Sequence, residues 1–302
     1  MSNFAHSNKN HMTFMKTRLF ILAALCSLTA AAQEASPWTH SGLTGINFSQ
    51  TSFTNWAEGG ENSVASNVYL NASLNYKADR ISWTNDLNLN YGQNNANGSG
   101  WRKNIDNFNF ASKFGHQITE KLYCATLFDF KTQVANGYKY YDEQPKEHIS
   151  KFWNPAYMNI SVGLDWKPND NIAVYFSPVA GKLTMTSDTL FSTRYGVDAG
   201  KTVRSQLGST FKGTINYDKL MDGRLTVKSV LDLFTAYDDS FGNIDVNWDL
   251  LLGFNVSKLI TVTFQSTLKY DDDIKFKSSD GTIHGARIQY KEILGVGLSY
   301  KF

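Results

Sequence analysis

The sequence predicts an all-β fold: a single transmembrane antiparallel up-and-down β-barrel of about 12 strands, with short periplasmic turns and long extracellular loops. Three observations support this prediction. Apolar and polar residues alternate with a period of two along most of the chain, so each strand has one apolar and one polar face. The segments between strands alternate between tight turns and long polar loops. A secretory signal precedes the whole pattern.

The N-terminal region indicates export. A basic segment, Lys16–Arg18, is followed by an apolar stretch, Leu19–Leu28, and then by the Ala-x-Ala cleavage site Ala30–Ala32. We therefore predict that residues 1–32 are an over-extended start plus a secretory signal peptide, and that residues 33–302 form the outer-membrane barrel.

The composition excludes several classes of protein. Charged residues make up 19% of the chain, below the roughly 25% usual in soluble domains. The formal net charge of +2 comes without a basic cluster, so we expect no nucleic-acid partner. Beyond the N-terminus, no apolar segment approaches the ~20 residues of a membrane helix.

The first strands form a clear hairpin. After a weakly patterned strand over Trp38–Phe53, apolar residues alternate with asparagine and serine along Val68–Tyr76. The tight turn Lys77–Arg80 leads to a second alternating segment, Ile81–Tyr91. The two segments match the length and pattern of membrane-crossing strands.

The same pattern continues to the end of the chain. Tight turns are predicted at Pro168–Asn171, Leu220–Gly223 and Ser257–Leu259, and one of the loops at Gly92–Lys103. The further predicted strands cover about residues 108–114, 122–133, 158–167, 172–176, 207–217, 225–237, 244–256, 260–270 and 288–302.

The last strand, Ile288–Phe302, carries the predicted assembly signal. Its outward face ends on Tyr300 and Phe302, aromatic residues suited to a membrane interface. Its inward residues Gly295 and Gly297 are small and leave room where the barrel closes on the first strand. We expect the barrel-assembly machinery to act on this strand during biogenesis, and outer-membrane lipid to surround the finished barrel.

Charged residues on the polar faces are the predicted lumen lining. Their mixed signs suit a water-filled passage for small polar solutes, but they could also pair across a narrow barrel and plug it. The candidates are Asp86, Asp129, Lys131, Asp165, Lys167, Lys212, Lys228, Asp232, Asp245, Asp249 and Lys269.

The sequence predicts no catalytic residues, no metal site and no cofactor. Asp271–Asp273 offers carboxylates, but the residues after it lack the ligand spacing of a calcium loop, so a solvated loop is expected. Serine is abundant, yet no Gly-x-Ser-x-Gly motif is present and no histidine shares a clear face with a serine. We therefore do not expect an enzyme.

The most distinctive local motif follows the first strand. It begins with Ser49-Gln50 and includes Asn55, Trp56, Gly59, Gly60 and Asn62. In this motif the chain resembles a family of Bacteroidetes outer-membrane barrels known only as domain of unknown function 3078. The resemblance implies an outer-membrane barrel, but no substrate, reaction or site residues.

Two classes of function remain open from the sequence. One is a channel for small polar solutes through the mixed-charge lumen. The other is a non-conducting structural or docking barrel that binds an envelope protein or surface glycan through the aromatic loops Ala135–Ala156 and Leu183–Val203.

Overall fold

Twelve antiparallel strands close into a barrel, which confirms the predicted fold class. The computed structural model describes residues 36–52, 62–141, 145–274, 276–277 and 283–302. Within this part of the chain, Trp38–Phe302 form one compact unit. The barrel strands are β1 (Trp38–Thr51), β2 (Ser63–Ala78), β3 (Ile81–Ala96), β4 (Arg102–Thr119), β5 (Leu122–Thr132), β8 (Ala156–Asn169), β9 (Ile172–Met185), β10 (Val203–Lys219), β11 (Leu225–Ala236), β12 (Asp245–Asn255), β13 (Ile260–Tyr270) and β16 (Gln289–Lys301).

Four shorter strands lie in the loops. β6 (Gly137–Lys139) pairs with β7 (Glu147–Ser150), and β14 (Phe276–Lys277) pairs with β15 (Ile283–His284). A 3₁₀ helix over Thr189–Tyr195 follows β9. None of the helices in the described residues is long and apolar enough to span a membrane.

The two faces of the barrel wall are inverted relative to a water-soluble protein. Large apolar side chains such as Leu294, Val296 and Leu298 point outward and are exposed. Polar side chains such as Asn71 and Asp165 point inward and are buried. A continuous exposed apolar surface around a polar interior is the arrangement that lipid contact requires.

Connections of different length lie at the two ends of the barrel. The turns at Asp79–Arg80, Glu120–Lys121 and Asp170–Asn171 mark the turn end, and the longer connections mark the loop end. The predicted loop Gly92–Lys103 is too long, because β3 continues to Ala96 and β4 begins at Arg102. Residues 93–95 of β3 are polar on both faces, which made them resemble a loop. The β-bulge in this part of the pairing lies on β4, where Asn104 is the extra residue opposite Gly92 and Gln93.

The seam between β1 and β16 closes the barrel. It has five registered residue pairs, whereas β1 and β2 share fourteen. Gly42 and Phe302 extend the seam by exchanging two backbone hydrogen bonds of 2.8 and 3.0 Å. The rings of Tyr300 and Phe302 stack with centroids 6.1 Å apart.

Asn47 occupies the room that the two inward glycines of β16 leave. Its amide donates a hydrogen bond of 3.1 Å to the Thr263 hydroxyl on β13, so the side chain crosses β16. A Cβ atom at Gly295 would lie 2.5 Å from the amide nitrogen of Asn47. Small residues are therefore needed at this point of the seam.

Two parts of the sequence prediction lie outside the described residues. They are the signal peptide within residues 1–32 and the family-motif residues Asn55, Trp56, Gly59 and Gly60. Asn62, the remaining motif residue, directly precedes β2 and is exposed.

Candidate functional site: the barrel lumen

All the predicted lumen-lining residues lie on barrel strands, and most take part in ion pairs across the interior. The structure brings Asp129, Lys131, Lys212 and Asp232 together, and it pairs Asp86 with Lys228. The other five are Asp165, Lys167, Asp245, Asp249 and Lys269. Of these, Asp165 and Lys167 pair with each other at 3.6 Å.

The central network consists of Asp129, Lys131, Lys212 and Asp232. Lys131 contacts Asp232 at 2.6 Å, although three strands separate β5 from β11 around the barrel wall. Lys212 contacts Asp129 at 2.6 Å and Asp232 at 3.1 Å. Two lysines and two aspartates thus neutralise one another across the lumen, as ion pairs in a poorly solvated interior must.

A second ion pair spans the barrel nearer the turn end. Asp86 on β3 and Lys228 on β11 lie 3.1 Å apart, with five strands between β3 and β11 in either direction. These strands are opposite each other in the wall, so the two side chains cross the full width of the interior. The Ser73 hydroxyl also donates a hydrogen bond to Asp86.

The ion pairs divide the lumen into cavities. A loop-end cavity, lined by Tyr157, Lys182 and Tyr270 among others, has about 880 Å³ of empty space, part of it open to solvent. A central cavity, lined by Asn88 and Lys291 among others, has about 970 Å³ by the same measure. The residues that line both cavities are Asp129, Lys131 and Asp232. These three residues of the central network therefore form the boundary, or partition, between the two cavities.

A smaller turn-end cavity of about 420 Å³ continues this series. It shares Asn71, Lys228 and Leu251 with the central cavity, and Leu43 and Lys301 of the seam line its far side. The three cavities follow one another along the lumen. The two partitions between them contain ion-paired side chains.

Asparagine side chains form one wall of the central cavity. The Asn107 amide donates to Asn88 at 3.0 Å, and Asn88 donates in turn to Asn71. Asn90 donates to Gln265 at 2.6 Å, which links this wall to β13. The predicted lumen lining contained only charged residues and omitted this wall, although the same period-two alternation places the asparagines on the inward face.

Packed side chains fill another part of the lumen near the turn end. Lys113 contacts Asp165 at 2.6 Å, and Lys167 donates to Ser82 at 2.8 Å. The fully buried Tyr175 packs with two apolar residues of β5, Ala125 and Leu127. Lys113 and Tyr175 were not among the predicted residues.

An acidic cluster lies at the loop end. Carboxylate oxygens of Asp245, Asp271 and Asp273 lie within 4.8 Å of one another. Lys182 contacts Asp245 at 2.6 Å and Asp271 at 3.3 Å, and Arg204 contacts Asp273 at 2.8 Å. The segment expected to be a solvated loop is thus half-buried, and these two cations offset part of its negative charge.

The aromatic loops pack partly against each other. The rings of Tyr138 and His148 lie 5.1 Å apart, and Phe191 meets His148 edge to face at 5.3 Å. The Tyr195 hydroxyl donates to the Ile149 carbonyl at 2.6 Å. Burial raises the pKa of Tyr195 to about 12, so this donor keeps its proton at physiological pH.

Comparison with known proteins supports the family resemblance. A family model described as a protein of unknown function (DUF3078) matches residues 48–138, which confirms the resemblance seen in the sequence. No curated protein matches the chain.

Several solved barrels are similar to this chain. They include the translocator domain of the autotransporter NalP from Neisseria meningitidis, at 11% identity and a TM-score of 0.37, covering 98% of each chain. The NanC porin is 9% identical with a TM-score of 0.37, covering 85% of this chain and 98% of the porin. A Pseudomonas aeruginosa FadL homologue is 11% identical with a TM-score of 0.28, covering 87% and 89% of the two chains.

Proposed function

We propose that this protein is an outer-membrane channel for small polar solutes, and that the central network closes its lumen to free ion flow at rest. The observation that carries the proposal is the partition formed by Lys131, Asp232 and Asp129 between two polar cavities. Long side chains can leave a partition by changing rotamers, without any movement of the barrel backbone.

The central network gives the partition its stability. Removing one partner of a buried ion pair typically costs about 3–5 kcal/mol, because the remaining charge is left without compensation. Ions alone can compete for these charges only weakly. A polar solute can form hydrogen bonds with the same lysines and aspartates. These bonds would replace the ion-pair contacts that are lost when the solute enters.

Single-channel recording in planar bilayers tests the proposal. We expect the wild-type barrel to show brief openings of low conductance. Asp232→Asn leaves Lys131 without its carboxylate partner. Each ~1.4 kcal/mol of lost stability in the closed partition should raise the open fraction about tenfold.

Asp165→Asn is the matched control for this experiment. Asp165 is also a buried, ion-paired lumen aspartate, but it lines none of the three cavities described above. Its substitution should leave the conductance near that of the wild type. The channel proposal fails if neither the wild type nor Asp232→Asn conducts, provided that heat modifiability on gels shows both barrels to be folded.

A docking function is the second candidate, favoured by exposed apolar side chains at the loop end. Leu190 and Phe241 have 85% and 67% of their surface exposed, and Phe152 has 56%. Apolar and aromatic side chains in such positions are common at interaction sites. Docking would be favoured if one envelope protein co-purifies with the wild-type barrel and if Leu190→Ser and Phe241→Ser abolish this co-purification.

A further inference from the structure

The lysines that line the loop-end and central cavities fall into two sets. Lys131, Lys182, Lys212 and Lys228 each contact an aspartate at 2.6 to 3.1 Å. Within the part of the chain that the structure describes, Lys269 and Lys291 have no carboxylate within 4.0 Å and no hydrogen bond. Two lumen lysines with no contacting carboxylate are a candidate site for a ligand that brings one.

The two lysines are diagonal neighbours on adjacent strands, and both are exposed to the lumen. Lys291 on β16 is directly opposite Thr267 on β13, and Lys269 is two residues further along β13. Diagonal neighbours of this kind lie ~7–8 Å apart at the backbone, within reach of long side chains. Lys269 lines the loop-end cavity and Lys291 the central cavity, so a ligand that contacts both would span the boundary between the two cavities.

Gln265 is a further donor, because it is the other diagonal neighbour of Lys291 on β13. Gln265 precedes Thr267 by two residues on the same inward face, and its side-chain nitrogen is buried without a hydrogen-bond partner among the described residues. Its oxygen is held by Asn90 at 2.6 Å, which fixes the orientation of the amide. The two ammonium groups and this N–H are donors of the kind that bind a carboxylate.

Asp249 adds a negative charge beside this donor set. It is opposite Thr267 on the β12 side, and Thr267 and Asn247 donate hydrogen bonds to its carboxylate at 2.7 and 2.9 Å. No lysine or arginine of the described residues lies within 4.0 Å of it. Asp249 is one strand from Lys269 and two strands from Lys291, and none of the three has an ion-pair partner among the described residues. This arrangement complements a ligand that carries both charges.

We propose that Lys269 and Lys291 bind the carboxylate of a small zwitterionic solute, and that Asp249 binds its ammonium group. A zwitterion replaces the missing charges on both sides without changing the net charge of the lumen. A simple anion would satisfy the lysines but would be repelled by Asp249. That zwitterions are the solutes that pass through the barrel rests on the proposed channel function. The binding site itself does not rest on it.

Calorimetric titration of the detergent-solubilised barrel tests the site with three matched probes. β-Alanine carries both groups, propionate only the carboxylate and propylamine only the ammonium. We expect β-alanine to bind most tightly, propionate about tenfold more weakly and propylamine least tightly, because a hydrogen-bonded charge contact is worth roughly 1.5–3 kcal/mol.

Variants separate the two halves of the site. The double variant Lys269→Met/Lys291→Met should weaken β-alanine binding at least about tenfold. Asp249→Asn should bring β-alanine down to the affinity of propionate. Lys258→Met, in the exposed turn between β12 and β13, is the control and should bind as the wild type does.

The outcomes distinguish this inference from the channel proposal. If the barrel never conducts but binds β-alanine, and the lysine variants abolish this binding, the site is supported and the channel is rejected. Equal affinity for the three probes would overturn the inference, as would undiminished β-alanine binding in a double variant that remains heat-modifiable.

Discussion

Gly42 is one of the seam residues where a side chain would meet a neighbour on β16 or at the C-terminus. Phe302 exchanges backbone hydrogen bonds with it, and the Phe302 ring lies across the position that a Cβ atom at Gly42 would occupy. Because Phe302 is partly exposed and its ring can move aside, we expect Gly42→Ala to displace this ring and to destabilise the barrel by up to about 1 kcal/mol, the low end of overpacking. The measurement is the temperature at which the folded gel band converts to the unfolded one.

Gly181→Ala is the matched control within a strand. An added Cβ atom at Gly181 would meet Ile160 at an ordinary distance of 3.8 Å. This variant should keep the wild-type transition temperature. Equal transition temperatures for Gly42→Ala and the wild type would show that the Phe302 ring is not needed at the seam.

At the scale of single residues, alternation predicted which strand faces carry charge but not which charges meet. Asp86 and Lys228 were both predicted to line the lumen, yet their contact depends on the width of the barrel and the stagger of its strands. Lys182 was missed because β9 has a bulge near Ser177, which moves the inward face from odd-numbered to even-numbered residues. Lys291 was missed because only its apolar and glycine neighbours were considered.

At the scale of elements, the β1–β16 seam depends on a side chain that crosses an entire strand. Asn47 reaches Thr263 over Gly295 and Gly297. We expect Gly295→Ala to lower the unfolding temperature, because the added methyl group would overlap the Asn47 amide. The double variant Asn47→Ala/Gly295→Ala should regain part of that loss, since the overlapping amide is then absent.

A double-mutant cycle measures this coupling. Asn47→Ala alone should cost about 1 kcal/mol through its lost hydrogen bond. If the two substitutions are additive, the steric explanation of the glycine fails. The room that Gly295 leaves at the seam was predictable from the sequence. Its occupation by Asn47 was not, because the register between β1 and β16 arises only on closure.

At the scale of the whole molecule, the barrel architecture was predictable because an outer-membrane barrel repeats one simple pattern in every strand. The family-model match and the closed barrel both agree with that pattern. Export by the predicted signal remains a prediction. We expect the mature protein to begin at Gln33 and to fractionate with the outer membrane in its source bacterium.

Mass spectrometry of the N-terminal peptide and membrane fractionation check this prediction. Replacing both basic residues of the signal, Lys16→Glu and Arg18→Glu, should hold the precursor in the cytoplasm. Recovery of an uncleaved chain from the outer membrane would contradict cleavage after Ala32. A cleaved protein in the soluble periplasm would instead contradict insertion.

The neutrality of the central network has an electrical consequence. Moving one elementary charge through 100 mV is worth about 2.3 kcal/mol, so a voltage acts on a gate in proportion to the net charge that moves. Lys131 and Lys212 balance Asp129 and Asp232, and a movement of all four together carries no net charge through the field. If all four side chains move in the same direction, the barrel should open in response to solutes and respond only weakly to membrane potential.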